Sequence, residues 1–296
     1  MPAAEMPAAE VEITPALVRA LLTEQCPDLA VLGLEPLAFG WDNVSYRLGD
    51  ELVVRLPRRA LAARLVEHEQ RWLPTVADRV PLPVPAPVVA GRPGSGYPWA
   101  WSVVPYLPGH PAAIAPPPDP GAAAVALGRF VTALHRCPAD GLPANPYRGG
   151  LLADRDEAVR DRLARLADDV DAPAVVARWE QALGAPVHVG PPVFLHGDLH
   201  PANLLVAEGR LSAVIDFGDL TAGDPATDLA AGWMLFDERT RGAFRGAAGD
   251  PDDATWDRAR GWALNHALAC LATSADNPVM HGVGERTLAN VLADPA

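Results

Sequence analysis

The segment Val193-Phe194-Leu195-His196-Gly197-Asp198-Leu199-His200-Pro201-Ala202-Asn203, with Ile215-Asp216-Phe217-Gly218 after it, decides the reading of this chain. It has the form H-x-D-x₄-N, then an apolar strand pair, then D-F-G. The interval from Asn203 to Asp216, 216 − 203 = 13 residues, suits a tight hairpin that returns the second carboxylate to the first. Asp, Asn, Gly and His are each common in turns when taken singly. Their order here, with apolar strands on both sides, is a far rarer arrangement than a turn requires.

Phosphoryl transfer explains the residue types, and the kinase signature set has the same order. A carboxylate near an acceptor hydroxyl must orient it and accept its proton, a role that falls to Asp198. Hard Mg²⁺ ions bridging phosphates need oxygen ligands, and Asn203 with Asp216 offers an amide oxygen beside a carboxylate at limited added charge. His200 stays open between capping the loop and taking part in chemistry.

Outward from that segment, 296 residues exceed what one compact core usually holds, so two lobes with a cleft between them are expected. Hydrophobic residues make up 49% of the chain, enough for a sizeable core. A net charge of −13 argues against general affinity for nucleic acid or anionic membrane and favours cationic partners. All 24 basic residues are arginine, which excludes a G-K-[ST] phosphate loop outright. No apolar run reaches a membrane span, and the first eighteen residues lack Lys and Arg, so the expected location is cytoplasmic. Cys26, Cys137 and Cys270 lie far apart and read as core fillers.

The repeat of Met-Pro-Ala-Ala-Glu over residues 1–10 reads as a frayed tail. Thr14-Pro15 looks like a helix start, with a helix running to about Cys26. Residues 34–56 read as consecutive antiparallel strands broken by Gly40 and Gly49-Asp50. Helical spacing returns over 60–77, with Leu61, Leu65, Glu69, Trp72 and Val76 on one inward stripe. The Pro- and Gly-dense stretch 80–98 reads as loop with short edge strands, and Trp99 to Tyr106 as a further strand. After the Pro-rich segment 108–120, helices are expected near 121–135, 154–183, 226–247 and 253–273. Short strands are expected at 193–195, 204–207 and 211–216. The fold class is α+β and bilobal: a small antiparallel-sheet lobe over 1–106, with the lobe linker near its end, and a larger, mainly helical lobe over 107–296.

HGDLHPANLLV followed by VIDFGD resembles the aminoglycoside phosphotransferase family, which includes macrolide and peptide-antibiotic kinases and is related to choline kinases. Weaker likeness extends over most of the chain. The resemblance implies a protein-kinase-like fold with ATP or GTP between the lobes and Mg²⁺ at the phosphates. It places Asp42 and Asn43 in a turn that closes over the phosphates, although G-x-G-x-x-G is missing and a plain hairpin is the other reading. Arg55 stands where many relatives carry a phosphate-pairing Lys, and its planar fork can serve instead. Glu69, inward on its helix, is the matching carboxylate, which implies an Arg55–Glu69 ion pair. Pro105 offers only a carbonyl to the purine, leaving the Leu107 N–H as donor. Asp228 braces the catalytic loop; Asp219 either does likewise or assists a second metal.

The expected partners are therefore a nucleoside triphosphate and a small-molecule acceptor, with no nucleic acid and no membrane, in a monomer or homodimer. An antibiotic kinase conferring resistance leads; a macrolide kinase or a metabolic kinase of the choline, sugar or amino-alcohol type is the alternative. A nucleotide-binding pseudokinase is the third reading, and the intact Asp198, Asn203 and Asp216 argue against it. The acidic C-terminal third points to a cationic acceptor, with Asp276 and Glu285 chosen from an expected binding loop over 274–285. A larger, more apolar acceptor would instead use Trp233, Trp262 and Met280.

Overall fold

The computed structural model describes residues 8–40 and 42–294. Most of the N-terminal repeat, and Trp41, lie outside the described residues. Helix α1 (Pro15–Gln25) starts where Thr14 Oγ1 accepts the Leu17 N–H and Pro15 takes the first turn. Strands β1 (Leu34–Phe39), β2 (Asn43–Leu48) and β3 (Leu52–Pro57) follow as an antiparallel meander. Val44, Tyr46 and Leu48 alternate inward on β2, the period-two signature of a sheet with one buried face. Helix α2 (Ala60–Ala77) follows, and β4 (Val89–Gly91) and β5 (Trp101–Pro105) complete a five-stranded sheet in the order β1-β2-β3-β5-β4.

The inward stripe of α2 is rotated by one residue from the expected one. Ala62, Val66, Glu69, Leu73 and Val76 are buried, while Leu61 is 73% exposed. Two registers were compatible with the apolar spacing, and Ala62 and Ala63 take the buried places in the first turn that Leu61 was expected to fill. Glu69 belongs to both stripes and faces inward.

The larger part begins with β6 (His110–Pro111) and α3 (Pro120–His135). The single helix expected over 154–183 is two: α4 (Asp156–Arg165) and α5 (Ala172–Gly184). Asp171 caps α5 by accepting the Ala174 N–H, and Pro173 is tolerated only because it lies in that first turn. Strands β7 (Val193–Leu195), β8 (Leu204–Ala207), β9 (Arg210–Val214) and β10 (Thr221–Gly223) surround the catalytic segment. Strand β8 pairs with β6 and β9, and β10 pairs with β7. The strand expected to reach Asp216 ends at Val214.

The helix expected over 226–247 divides into α6 (Ala226–Leu229), α7 (Ala231–Leu235) and α8 (Glu238–Ala247), the last capped by Asp237 through the Thr240 N–H. Helix α9 (Asp253–Thr273) is followed by α10 (Pro278–Ala293), so most of the loop expected over 274–285 is helical. Asn277 accepts the Met280 N–H and Pro278 opens the helix, a start signal hidden by the Gly and Asn content of the stretch. Two hydrophobic clusters hold the molecule: one joins α1 to β2, β3 and β5, the other is built on α3, α9 and the segments around β7–β9. Leu73 and Val76, at the end of α2, pack into the second. No helix among the described residues is long and apolar enough to cross a membrane. Cys137 and Cys270 are buried thiols, and burial pushes Cys270 up to about 12.

Candidate active site

The chain leaves β7 into a loop whose backbone is held from beneath. Asp228, fully buried, accepts the His196 N–H with Oδ2 and the Gly197 N–H with Oδ1, both at 2.9 Å, and His135 Nε2 lies 3.2 Å from Oδ2. Gly197 has φ +86°, and a Cβ there would stand 2.2 Å from the Asp219 carbonyl oxygen, so only glycine fits. The His196 ring packs on Phe217 at 4.4 Å between centroids, and its Nε2 lies 3.0 Å from the Ile215 carbonyl oxygen. The two halves of the motif thus share one support.

Asp198 stands on this loop with its carboxylate partly open, 25% exposed. Arg148 Nη2 donates to Oδ1 at 2.7 Å, and His200 Nε2 lies 3.3 Å from Oδ2. Burial raises the Asp198 pKa, but the contact with His200 and the charge of Arg148 outweigh it and hold the carboxyl well below its ordinary range. Each oxygen keeps a further lone pair for an acceptor hydroxyl. His200 does both things left open by the sequence: its Nδ1 accepts the Ala202 N–H as a cap, and its Nε2 faces Asp198 and Asn203. Asn203 donates Nδ2 to the Asp198 carbonyl oxygen at 3.0 Å, which leaves Oδ1 as the atom available to a cation.

Ile215 N–H bonds to the Asn203 carbonyl oxygen at 2.9 Å, bringing the second carboxylate beside the first loop. Asp216 has φ +64°, a left-handed conformation costing about 1–3 kcal/mol for a non-glycine residue, and such strain concentrates at functional positions. The next N–H, of Phe217, donates to Glu69 Oε1 at 3.2 Å. Glu69 Oε2 accepts Arg55 Nη1 at 2.9 Å. Burial pushes the Glu69 carboxyl up and Arg55 opposes it; the Arg55 guanidinium is itself raised, the charges of Glu69 and Asp216 outweighing its burial. One glutamate therefore ties the third strand, α2 and the D-F-G turn together.

Asp42, Asn43, Arg55, Glu69, Pro105, Leu107 and Asp216 all line a cavity of about 460 Å³ between the sheet and the catalytic segment, a size typical of small-molecule sites. Arg59 Nη2 pairs with Asp42 Oδ1 at 2.5 Å, so Arg59 belongs to the turn rather than to the open surface. The Asn43 Oδ1 atom is buried with no hydrogen-bond partner among the described residues. Among the described residues nothing accepts the Leu107 N–H, while Tyr106 N–H is taken by the Glu51 carbonyl oxygen. Arg55→Ala is expected to raise the nucleotide KM and lower kcat together, since a cation on the phosphates binds them in the ground state and more strongly in the transition state, as charge moves onto the leaving oxygens. Steady-state kinetics with varied ATP checks it, and an unchanged KM and kcat would place the phosphate cation elsewhere.

A second, small cavity lies on the other side of Asp198 and is lined by Arg148, Thr227, Trp262 and His266. Sequence reasoning missed Arg148 and His266. Arg148 lies in Asn145-Pro146-Tyr147-Arg148-Gly149, a loop with no motif, and Asn145 Nδ2 helps fix it by donating to Asp219 Oδ1 at 2.9 Å. Asp219 is 3.6 Å from Arg148 Nε, so it buttresses the arginine that holds Asp198. Asp276 and Glu285 stand in the α9–α10 turn and on α10, Glu285 3.7 Å from His281, and neither lines either cavity. Trp233 is buried, with its Nε1 donating to Asp294.

The sequence profile of the phosphotransferase enzyme family (APH) matches residues 33–262. The chain belongs to that family. No curated protein sequence matches it. Among solved structures, this APH-family chain is similar to the GDP complex of wild-type aminoglycoside 2′-phosphotransferase-IIIa. That match has a TM-score of 0.67 and 20% identity over 95% of this chain and 99% of that one. It is also similar to macrolide 2′-phosphotransferase MphH from Brachybacterium faecium, with TM-score 0.57 and 26% identity over 89% and 92% of the two chains. The ADP-bound aminoglycoside phosphotransferase APH(2″)-Ib matches with TM-score 0.62 and 15% identity over 95% and 97%. The chain thus has the bilobal kinase-like α+β fold, and as an APH-family enzyme it is a phosphotransferase.

Proposed function

We propose that this protein transfers the γ-phosphoryl group of ATP or GTP to a hydroxyl of an antibiotic and so confers resistance. The observation that carries the reading is the convergence of Asp198, Asn203 and Asp216, the last of which lines the interlobe cavity. The acceptor hydroxyl gives its proton to the Asp198 carboxylate, its oxygen bonds to the γ-phosphorus, and the bond to the β–γ bridging oxygen breaks to release the nucleoside diphosphate. Mg²⁺ fits the donor set, because Asn203 Oδ1 and the Asp216 carboxylate are hard oxygen ligands and the phosphates supply the rest. Bound there, it would neutralise charge on the phosphates. The described residues contain no cluster of three or more His, Cys, Asp or Glu, consistent with a cation held partly by its nucleotide.

A basic acceptor, an aminoglycoside or basic peptide, is the reading that the acidic composition supports; Asp276 and Glu285, outside both cavities, would meet only a part of it that extends beyond them. A less basic acceptor of the macrolide type is the second reading, with Trp262 and Met234 as apolar side chains beside Asp198. A coupled phosphorylation screen of antibiotics and amino alcohols, run with ATP and GTP in parallel, tests the proposal. Transfer to choline or a sugar, with every antibiotic inert, would replace resistance by metabolism.

A further inference from the structure

Three residues that line the cavity beside Asp198 each carry a polar side-chain atom that is shut off from solvent and has no hydrogen-bond partner among the described residues: Thr227 Oγ1, Trp262 Nε1 and His266 Nε2. Trp262 is 3% exposed and Thr227 8%. A buried indole N–H left unpaired costs free energy, and native structures rarely leave several such atoms around one space without a use. Arising from α6 and from one turn of α9, they are fixed by packed helices rather than by a loop. The cavity holds about 20 Å³, room for one water-sized group.

The charge around this space is not that of a cation trap. Arg148 faces it with one hydrogen bond to Asp198, and Arg162 stands behind Asn265, donating to Oδ1 at 2.9 Å. The carboxylates at hand are Asp198 and Asp219, and Arg148 contacts both. Burial and the neighbouring His200 push His266 down to about 3, so it is neutral and offers either a lone pair or an N–H. An ammonium brought here would meet two guanidiniums and lose its water, with no unpaired carboxylate among the lining residues to receive it.

We infer that the cavity is the inner end of the acceptor site and receives an uncharged, oxygen-bearing arm, whose hydroxyl, ether or carbonyl oxygen is bound by Trp262 Nε1, Thr227 Oγ1 and His266 Nε2. The inference rests on the kinase reading above and deepens it by naming the chemistry of the docked group. Trp262 and Thr227 are specificity-determining residues, and polycations are excluded from this end of the site.

The wild-type chain is assayed for γ-phosphoryl transfer to uncharged hydroxylated compounds (myo-inositol, glucose, chloramphenicol) and to polycations (kanamycin, streptomycin), with nucleotide binding and hydrolysis followed separately. Preference for an uncharged acceptor, by about tenfold or more in kcat/KM, is expected. Thr227→Val and Trp262→Phe should then raise that acceptor's KM about tenfold with kcat little changed. Thr227→Val, which removes an unpaired hydroxyl without changing shape, should also keep or raise the thermal midpoint. Higher kcat/KM for the polycations, an unchanged acceptor KM in both variants, or transfer to no compound at all would overturn the inference. Nucleotide binding and hydrolysis then tell whether the kinase reading falls with it.

Discussion

Asp198→Asn is expected to lower kcat by roughly 10²-fold or more while leaving nucleotide affinity near wild type. The substitution keeps the size of the side chain and removes the group proposed to take the proton. Arg148 Nη2, now held at 2.7 Å by a carboxylate oxygen, would keep a neutral oxygen partner, and His200 would lose the charge 3.3 Å away. The loop itself survives, because Asn203 holds it through the Asp198 carbonyl and not through the side chain. Asp216→Ala separates the two roles: it should weaken productive metal–nucleotide binding, so that its defect eases as Mg²⁺ is raised. Turnover of Asp198→Asn near wild type at saturating acceptor would remove the base assignment. Because neighbouring charges already hold the Asp198 carboxyl below its ordinary range, any acid limb in the wild-type pH profile near neutrality belongs to another group.

Legibility in the sequence followed how local each signal was. The H-x-D-x₄-N and D-F-G segments lie close together in the chain, and the hairpin β8–β9 between them fixes their geometry, so order and spacing carried the placement. Glu69 was readable because a charge on the inward face of α2 needs a partner, and Arg55 on β3 supplies it at 2.9 Å. Arg148 and His266 were not readable. Their position beside Asp198 depends on how the loop after α3 and the middle of α9 are folded back over residues 50 and more away in sequence. Helix breaks at Asp171 and Asp237 were missed for a smaller reason: apolar periodicity continues across them, and only the cap hydrogen bonds to Ala174 and Thr240 show that the axis changes.

The support beneath the loop gives the second large effect. Asp228 is fully buried and satisfies two backbone N–H groups, of His196 and Gly197, at 2.9 Å each. Asp228→Ala leaves both donors unpaired, and at about 1–3 kcal/mol for each buried group the expected loss of stability is about 2–4 kcal/mol after partial relaxation. Function should suffer beyond that loss. The two N–H groups immediately precede Asp198, so their release lets the base move, and displacement of a catalytic group by about an ångström can cost about 10²-fold in rate. Asp228→Asn retains one acceptor oxygen but turns an amide N–H₂ toward the other donor, so it should fall between wild type and Ala in both properties. Urea unfolding midpoints, kcat, and the Kd for ADP on the folded variants separate the two effects. Both kcat and the midpoint should fall while ADP affinity stays within about threefold, because the nucleotide cavity is lined from other segments. An Asp228→Ala protein with a wild-type midpoint and wild-type kcat would show that the loop is held by the His196 ring and Phe217 instead, through their 4.4 Å contact.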